Sequence, residues 1–211
     1  MKKILFSFLA IIIALNTFAQ DRHLRFMDIP LDGKISAFNK ELKMKGFTQD
    51  ELARKHIKGA YIYNGVFAGE NAQVFIDYDS KTKIVYQACV IITRYSKESV
   101  TQLYENMRDM LEEKYSKDEG VQFFEIMKEE LGNKMKEDGI EHFQWKHTSI
   151  ENGYEATNFL IPNLDKRDLL GVIKIFVSES LTSDIPKYDL YIRYSDWQNS
   201  ELNRENKMDD L

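Results

Sequence analysis

The histidines of this 211-residue chain are candidate metal ligands, and their spacing decides whether they can share an ion. His142 and His147 lie five residues apart, on either side of Trp145, in a stretch that predicts a strand. Because residues five apart on a strand point to opposite faces of the sheet, the two imidazoles are badly placed to share an ion. His23 and His56 have no cysteine or carboxylate at a spacing that would complete a ligand set. We therefore expect no metal site and no cofactor.

A segment around Asp77 starts like a calcium-binding loop but does not complete one. In Asp77-Tyr78-Asp79-Ser80-Lys81 a lysine stands where the third oxygen ligand should be. No glycine or distant glutamate follows at the required position. We predict a plain hairpin turn here.

The chain also lacks the sequence motifs that mark common catalytic sites. The chain has no Gly-x-Ser-x-Gly elbow and no phosphate-binding glycine loop. Cys89 is the only cysteine, which excludes an intramolecular disulfide. It stands in the middle of a predicted strand, with no histidine or helix start beside it to lower the pKa of its thiol. We therefore predict that Cys89 is a buried, small apolar residue.

Three pairs of adjacent acidic residues could contribute to a glycosidase site, since a sequence does not show their separation in space. They are Glu112-Glu113, Glu129-Glu130 and Asp209-Asp210. All three lie in helical or terminal segments that also carry lysines, where solvated surfaces explain them better. We expect a protein that is not an enzyme. A periplasmic hydrolase that uses carboxylates, or His147 beside Trp145, remains the alternative.

Aromatic residues in or beside the predicted strands are the remaining candidates for function. Outward-facing aromatic side chains form recognition surfaces, because they bring large apolar areas and, in tyrosine and tryptophan, a polar group. The predicted recognition surface consists of Tyr61, Tyr63, Phe75, Trp145, Tyr191 and Trp197.

Residues 1–19 have the pattern of a signal peptide. Lys2 and Lys3 form a positive start, an apolar centre runs from residue 4 to residue 15, and Thr17-Phe18-Ala19 is a cleavage site before Gln20. The apolar centre is shorter than the roughly 20 residues that span a bilayer, and no later segment comes close. We expect a periplasmic or secreted protein, cleaved near Ala19-Gln20, without a transmembrane segment in its mature form.

The balance of charge argues against nucleic acid as a partner. The chain has 29 basic and 34 acidic residues and a formal net charge of −5. Loss of Lys2 and Lys3 with the signal peptide makes this about −7. Nucleic-acid binding needs clustered lysine and arginine to neutralise phosphates. We expect instead a protein or peptide partner in the envelope or outside the cell.

Apolar spacing predicts a first helix that starts near residue 35. Ile35, Phe38 and Leu42 line one side of it. Gly46 supplies the positive φ that favours a helix end, and Phe47 should fold back on Leu42 in a Schellman motif. The helix should therefore pack on the core through this one side.

A second helix should start at Ser96, which caps it, with Tyr95 and Val100 in a hydrophobic staple. It should end near Tyr115, and a weaker helical pattern follows at 119–136. The predicted buried stripe consists of Val100, Leu103, Tyr104, Met107, Met110 and Leu111.

Alternation of apolar residues predicts seven strands, at 60–68, 73–79, 83–93, 141–150, 154–161, 172–178 and 187–194. Asn152-Gly153 is a strong hairpin signal between two of them, and Asn64-Gly65 suggests a bulge or tight turn inside the first. The strand at 83–93 has one wholly apolar face, and its other face carries Val85, Gln87, Cys89, Ile91 and Thr93. Such a strand is predicted to be central in the sheet.

This order predicts an α+β fold, an antiparallel sheet with helices packed on one face. The repeated order suggests a duplicated helix-plus-three-strand unit. We expect a single domain at 20–197 with half-units 24–95 and 96–197, followed by a polar tail at 198–211 that is frayed or partly helical.

Short motifs are spread over the mature chain: Phe26-x-x-Ile29-Pro30-Leu31-x-Gly33, Lys45-Gly46-Phe47, Gly65-x-Phe67-Ala68-Gly69, Leu111-x-x-Lys114-Tyr115 and Asp209-Asp210-Leu211. Together they resemble an uncharacterised family of exported proteins from Bacteroidetes-type Gram-negative bacteria. Asp28 departs from the family pattern, which has glycine there. The resemblance implies export and carries over no catalytic or binding residue. The predicted arrangement is also similar to helix-on-sheet modules of the β-lactamase-inhibitor-protein and outer-membrane-assembly lipoprotein type, a likeness of fold alone.

The leading functional hypothesis is an exported, non-enzymatic binding or interaction module of the bacterial envelope. It depends on the signal peptide, the aromatic strand residues and the incomplete catalytic motifs. Besides the hydrolase, a second alternative is a carrier of a small lipophilic ligand, in which the curved sheet wraps a cavity against the second helix.

Overall fold

The computed structural model describes residues 23–56, 61–115, 145–163, 168–180 and 185–208. Several predicted features lie outside these ranges. They are the signal peptide, the weak helical pattern at 119–136, His142, Glu129-Glu130 and Asp209-Asp210.

Strands and helices account for most of the described residues. The strands are β1 (Arg25–Phe26), β2 (Ile29–Pro30), β3 (Thr48–Gln49), β4 (Tyr61–Phe67), β5 (Glu70–Tyr78), β6 (Val85–Arg94), β7 (Lys146–Glu151), β8 (Tyr154–Asn163), β9 (Asp168–Ser180) and β10 (Lys187–Asp196). The helices are α1 (Ile35–Met44), α2 (Glu51–His56), α3 (Lys97–Tyr115) and α4 (Trp197–Met208).

Eight strands form one antiparallel sheet in the order β3-β4-β5-β6-β10-β9-β8-β7, and β1 pairs with β2 separately. Each half of the sheet is a meander of consecutive strands. The last strands of the two meanders, β6 and β10, pair along the middle, from Tyr188 opposite Arg94 to Ser195 opposite Gln87. The prediction of an α+β fold with an antiparallel sheet is confirmed, and the two half-units share one sheet.

Helix α1 forms as its apolar spacing predicts. Ile35, Phe38 and Leu42 are buried. Gly46 has a φ of +89°. The Gly46 N–H donates to the carbonyl of Lys43 at 3.0 Å, and the Phe47 N–H donates to the carbonyl of Leu42 at 3.1 Å. These two bonds are the Schellman motif, so the predicted end of this helix is confirmed.

The predicted cap of helix α3 is confirmed, but two of the residues predicted to pack with this helix are exposed. The Ser96 hydroxyl accepts a hydrogen bond from the Ser99 N–H at 3.2 Å. Tyr95 is 69% exposed, so the predicted staple with the buried Val100 is wrong. Met110 is 52% exposed and was wrongly placed in the stripe. The buried stripe consists of Val100, Leu103, Tyr104, Met107 and Leu111.

Alternate strand residues point into one core beneath the helices. In β6 these include Val90 and Ile92, and in β10 they include Leu190 and Ile192, all of them 0% exposed. They belong to the same cluster as the buried residues of α1 and α3. Both helices therefore pack on this side of the sheet, which is called the helix face below.

Strand β4 is continuous, so the bulge predicted at Asn64-Gly65 is wrong. Its register with β5 runs without a shift from Tyr61 opposite Ile76 to Phe67 opposite Glu70. The glycine is needed for a different reason. A Cβ atom added at Gly65 would lie 2.4 Å from Cδ1 of Phe47, which is buried beneath the strand.

The turn between β7 and β8 is the one that the sequence predicts. Asn152 and Gly153 have φ values of +52° and +81°. Positive φ at both central residues is typical of the two-residue turn that matches the twist of antiparallel strands. Ala68 and Gly69, with φ values of +49° and +85°, form a similar turn between β4 and β5.

Helix α4 is part of the folded domain. Asp196, which is 0% exposed, ends β10 and accepts hydrogen bonds from the N–H groups of Leu24 and Asn199, both at 2.9 Å. The Asn199 side chain donates to the carbonyl of Leu31 at 2.7 Å. The segment at 198–208, predicted as a frayed or partly helical tail, is therefore helical and is joined to the rest of the fold through Asn199.

Candidate recognition surface

The side of the sheet away from α1 and α3 is called the open face below. Strand register places ten of its side chains across β4, β5, β6, β9 and β10. Most of them are partly or fully exposed, whereas most of those on the helix face are buried. These ten are Ile62, Asn64, Gln73, Phe75, Cys89, Ile91, Lys174, Phe176, Tyr191 and Arg193.

Two rows of side chains cross the open face in register. The first consists of Ile62, Phe75, Cys89, Arg193, Lys174, Asn158 and His147. The second, next to it, contains Ile91, Tyr191, Phe176 and Ala156. Aromatic, aliphatic and cationic groups therefore meet where the two meanders join.

Two aromatic rings stack at this junction. The ring centroids of Phe176 and Tyr191 lie 4.8 Å apart, with an interplanar angle of 6°. The guanidinium carbon of Arg193 lies 5.4 Å from the Phe176 centroid, and the Nζ of Lys174 lies 5.3 Å from it. Both cations are within the range of cation–π attraction. Phe176, Tyr191, Arg193 and Lys174 are called the open-face cluster below.

The two cations of the open-face cluster differ in their pairing. Lys174 Nζ bonds both carboxylate oxygens of Glu151, at 2.7 and 2.8 Å. For Arg193, no carboxylate among the described residues forms an ion pair, and its Nε has no hydrogen-bond acceptor there. The Nε atom is buried, so Arg193 leaves to a partner the charge of its guanidinium rather than this nitrogen.

Burial and Arg193 act in opposite directions on Cys89. Cys89 is 7% exposed, as predicted for a small apolar residue. Burial raises the pKa of its thiol, and the neighbouring Arg193 guanidinium opposes this by favouring the thiolate. Burial also raises the pKa of Tyr191, with Asp189 adding to the effect. Both groups are therefore protonated and neutral at physiological pH.

Two of the predicted recognition residues lie on the open face. Tyr191 stands in the cluster, and Phe75 lies two strands away, opposite Cys89. Both are partly exposed. Trp197, at the first residue of α4, is 46% exposed.

The other three predicted residues belong to the helix face. Tyr63 is 0% exposed, so its inclusion in a recognition surface is wrong. Tyr61 and Trp145 are partly buried and pack against the core, where Trp145 contacts Phe159 at 6.0 Å between ring centroids. The alternation in β4 is apolar on both sides, so it does not show which side faces the core.

The described histidines stand apart from one another. His147 lies in β7 at the far end of the row that contains Arg193. His23 Nδ1 contacts Asp196 Oδ2 at 3.1 Å, beside α4. His56 ends α2 and is exposed. Among the residues that the structure describes, no group of three or more histidine, cysteine or acidic side chains could hold a metal ion.

The loop around Asp79 is a turn stabilised by its own side chains. Oδ1 of Asp79 accepts hydrogen bonds from the N–H groups of Lys81 and Thr82 and from the Thr82 hydroxyl, at 3.1, 2.6 and 2.8 Å. Burial raises the pKa of Asp79, but these bonds outweigh it, so the pKa lies below the ordinary value. The Asp79 carboxylate therefore holds the turn together, which agrees with the predicted hairpin turn.

Of the three predicted acidic pairs, the structure describes Glu112-Glu113, which lies at the surface of α3. Glu112 Oε2 accepts a hydrogen bond from Lys146 Nζ at 2.6 Å, and Glu113 is exposed. This arrangement agrees with a charged surface between a helix and a neighbouring strand.

Sequence reasoning missed Phe176, Arg193 and Ile91. The alternation in β9 does place Phe176 and Lys174 on one side of a strand. Their meeting with Tyr191 and Arg193, however, depends on the pairing of β9 with β10, which a strand pattern does not specify.

Comparisons with known proteins give no relative of this chain. No family model matches it, and no curated protein or solved structure matches it. The resemblance of its short motifs to exported Bacteroidetes-type proteins therefore stays a prediction, as does the likeness to β-lactamase-inhibitor-protein modules. None of the described helices is long and apolar enough to cross a membrane.

Proposed function

We propose that this protein is an exported, non-enzymatic binding module that holds a protein or peptide of the bacterial envelope on its open face. The observation that carries the proposal is the open-face cluster, a stacked aromatic pair with an arginine that has no carboxylate partner among the described residues.

The composition of the open-face cluster favours a protein partner. Tyrosine and arginine are enriched among the residues that contribute most to binding energy at protein interfaces. Phe176 and Tyr191 offer a rigid apolar surface to an apolar side chain of the partner. Arg193 offers parallel N–H donors to a carboxylate, a geometry that lysine does not provide.

The arrangement of charge supports a partner with an acidic group at this position. The chain as a whole is acidic, with a net charge of −5, yet the centre of the open face carries Arg193. A carboxylate of the partner would complete the contacts of this guanidinium. Lys174, the other cation of the open-face cluster, is already paired with Glu151, so Arg193 is the group left for that carboxylate.

Site-specific photo-crosslinking in the native host tests the proposal. A photoreactive phenylalanine analogue replaces Tyr191 in one variant and Met110, on the outer side of α3, in a matched control. We expect a discrete adduct from position 191 and none of the same mass from position 110. Equal adducts from both positions, or none from position 191, would contradict the proposal.

A second pair of variants tests which chemistry holds the partner. Arg193→Met keeps the apolar stem over Phe176 but removes the charge, and Arg108→Met removes a charge from α3. We expect Arg193→Met to lower the yield of the adduct from position 191 about tenfold or more, since charge-assisted hydrogen bonds are worth about 1.5–3 kcal/mol. Arg108→Met should leave the yield unchanged.

A further inference from the structure

An open groove lies at the β4–β5–β6 end of the open face. Its volume is about 740 Å³, within the range of roughly 300–1,000 Å³ that small-molecule sites occupy. Residues from all three strands line it, together with Thr48 of β3 and Tyr95, which follows β6. The lining includes Asn64, Val66, Asn71, Gln73, Ile91 and Tyr95.

Neutral amides supply most of the polar groups in this groove. Asn64, Asn71 and Gln73 are exposed, and Gln73 Nε2 donates to Asn64 Oδ1 at 3.3 Å. A side-chain amide carries both donors and an acceptor. A hydroxyl group also donates and accepts, so a set of amides suits a ligand that is rich in hydroxyls.

The charged group in the lining is already paired. Arg94 Nη2 bonds Glu70 Oε2 at 2.5 Å. The hydroxyl of Thr93, another lining residue, donates to Asp189 Oδ1 at 2.6 Å. An ionic ligand would lose water here without gaining an opposite charge, which is costly. The groove therefore suits a neutral ligand.

The groove also has apolar surface, which includes Tyr95, the side chain that was wrongly predicted to pack on Val100. Tyr95 follows β6 directly and is 69% exposed, and Val66 is 57% exposed. An exposed aromatic ring is a platform for a flat apolar face that has polar edges. A sugar ring has such a C–H face with hydroxyl groups around it.

We propose that this groove binds a neutral oligosaccharide, with Tyr95 as its stacking platform and the amides of Asn71 and Gln73 as hydrogen-bonding partners. The proposal goes beyond the protein-binding function, because Phe176, Tyr191 and Arg193 do not line the groove. Ile91 joins the two regions, since it lies between Gln73 and Tyr191 in the register.

Calorimetric titration of the mature protein with four neutral hexasaccharides tests this site. The probes are maltohexaose, cellohexaose, mannohexaose and chitohexaose. We expect at least one to bind, and Tyr95→Ala and Gln73→Ala each to weaken it about tenfold. Both residues are exposed, so the variants should fold, which circular dichroism checks. Met110→Ala is the matched control and should bind as the wild type does.

Several results would overturn the proposal. They are no binding of any hexasaccharide, equal weakening by Tyr95→Ala and Met110→Ala, or binding of an extended neutral peptide in place of a saccharide. Arg193→Met separates the two proposals, because it should lower the yield of the protein adduct about tenfold or more and leave saccharide affinity unchanged. If Arg193→Met also lost the saccharide, the groove would not be a separate site.

Discussion

At the residue scale, the surroundings of Arg193 are set by the neighbouring strands rather than by its own strand. In the sequence it is a charged residue in an alternating segment. In the sheet it stands opposite Cys89 on one side and Lys174 on the other, with Phe176 within 5.4 Å of its guanidinium. Phe176 and Cys89 partly shield the guanidinium from water, which strengthens its attraction for an opposite charge.

The space around Gly65 predicts the effect of adding a side chain at this position. A Cβ at this position would lie 2.4 Å from the ring of Phe47, which is 2% exposed and has little room to move. We expect Gly65→Ala to lower the free energy of unfolding by about 1–3 kcal/mol, the range for overpacking. Urea denaturation measures this. Gly33→Ala is the matched control, since nothing lies within 4 Å of its added Cβ, and an equal loss in both would refute the explanation.

The burial of Tyr115 predicts how the stability of the protein depends on pH. Burial raises its pKa to about 12, above the value of about 10 in an unfolded chain. The unfolded state therefore releases this proton first, so stability falls as pH rises through about 10 to 12.

The variant Tyr115→Phe tests this assignment. Its loss of unfolding free energy between about pH 9 and about pH 11 should be smaller than that of the wild type by about 1 kcal/mol. Urea titrations at the two pH values give the difference. A variant with the wild-type pH dependence would show that Tyr115 is not responsible.

At the scale of elements, the helix boundaries follow from local chemistry. Ser96 accepts a hydrogen bond from the Ser99 N–H at the start of α3. We expect Ser96→Ala to lower the unfolding free energy by about 1 kcal/mol through the loss of this cap. Thr101→Ala, at an exposed position of the same helix, should cause no loss. A thermal or urea unfolding curve in which both variants behave alike would contradict the capping role.

The sequence predicts those elements whose signals are local. The Schellman end at Gly46, the cap at Ser96 and the turn at Asn152-Gly153 all form as expected, because each depends on residues a few positions apart. Met110 was misplaced because periodicity locates a helix stripe only to within about one residue at its edges. Tyr95 was misplaced because the staple pattern depends on the position of a residue in the sequence and does not show which way its side chain points.

The open face was only partly predictable for a different reason. Strands β4 and β6 carry apolar residues on both sides, so alternation separates two faces without showing which one meets the core. Tyr63 consequently entered the predicted surface although it is buried, while Phe176 was left out. The pairing of β9 with β10, which brings Phe176 to Tyr191, depends on contacts between distant segments.

At the scale of the whole molecule, the seam between β6 and β10 joins the two meanders into one sheet. Leu190 and Ile192 on one strand and Val90 and Ile92 on the other are 0% exposed and belong to one core. Neither meander buries this surface without the other. The two half-units should therefore unfold together, in a single cooperative transition.

Leu190→Ala tests this coupling. We expect it to lower the unfolding free energy by about 2–5 kcal/mol through a cavity at the seam. Hydrogen exchange should report the same loss for slow amides in β5, from the first meander, and in β8, from the second. Leu52→Ala is the control, since Leu52 is 70% exposed. Loss of protection in one meander alone would contradict a shared core.

The central claim, that the open face holds a partner, is tested most directly by hydroxyl-radical footprinting. The protein is labelled once in its native envelope and once after purification, and the labelling of each side chain is compared. The account predicts that Phe75, Phe176 and Tyr191 are protected in the envelope, while Met110 on the outer side of α3 is labelled equally in both. Equal labelling of Phe176 and Tyr191 in the two samples, or protection of Met110 instead, would contradict it.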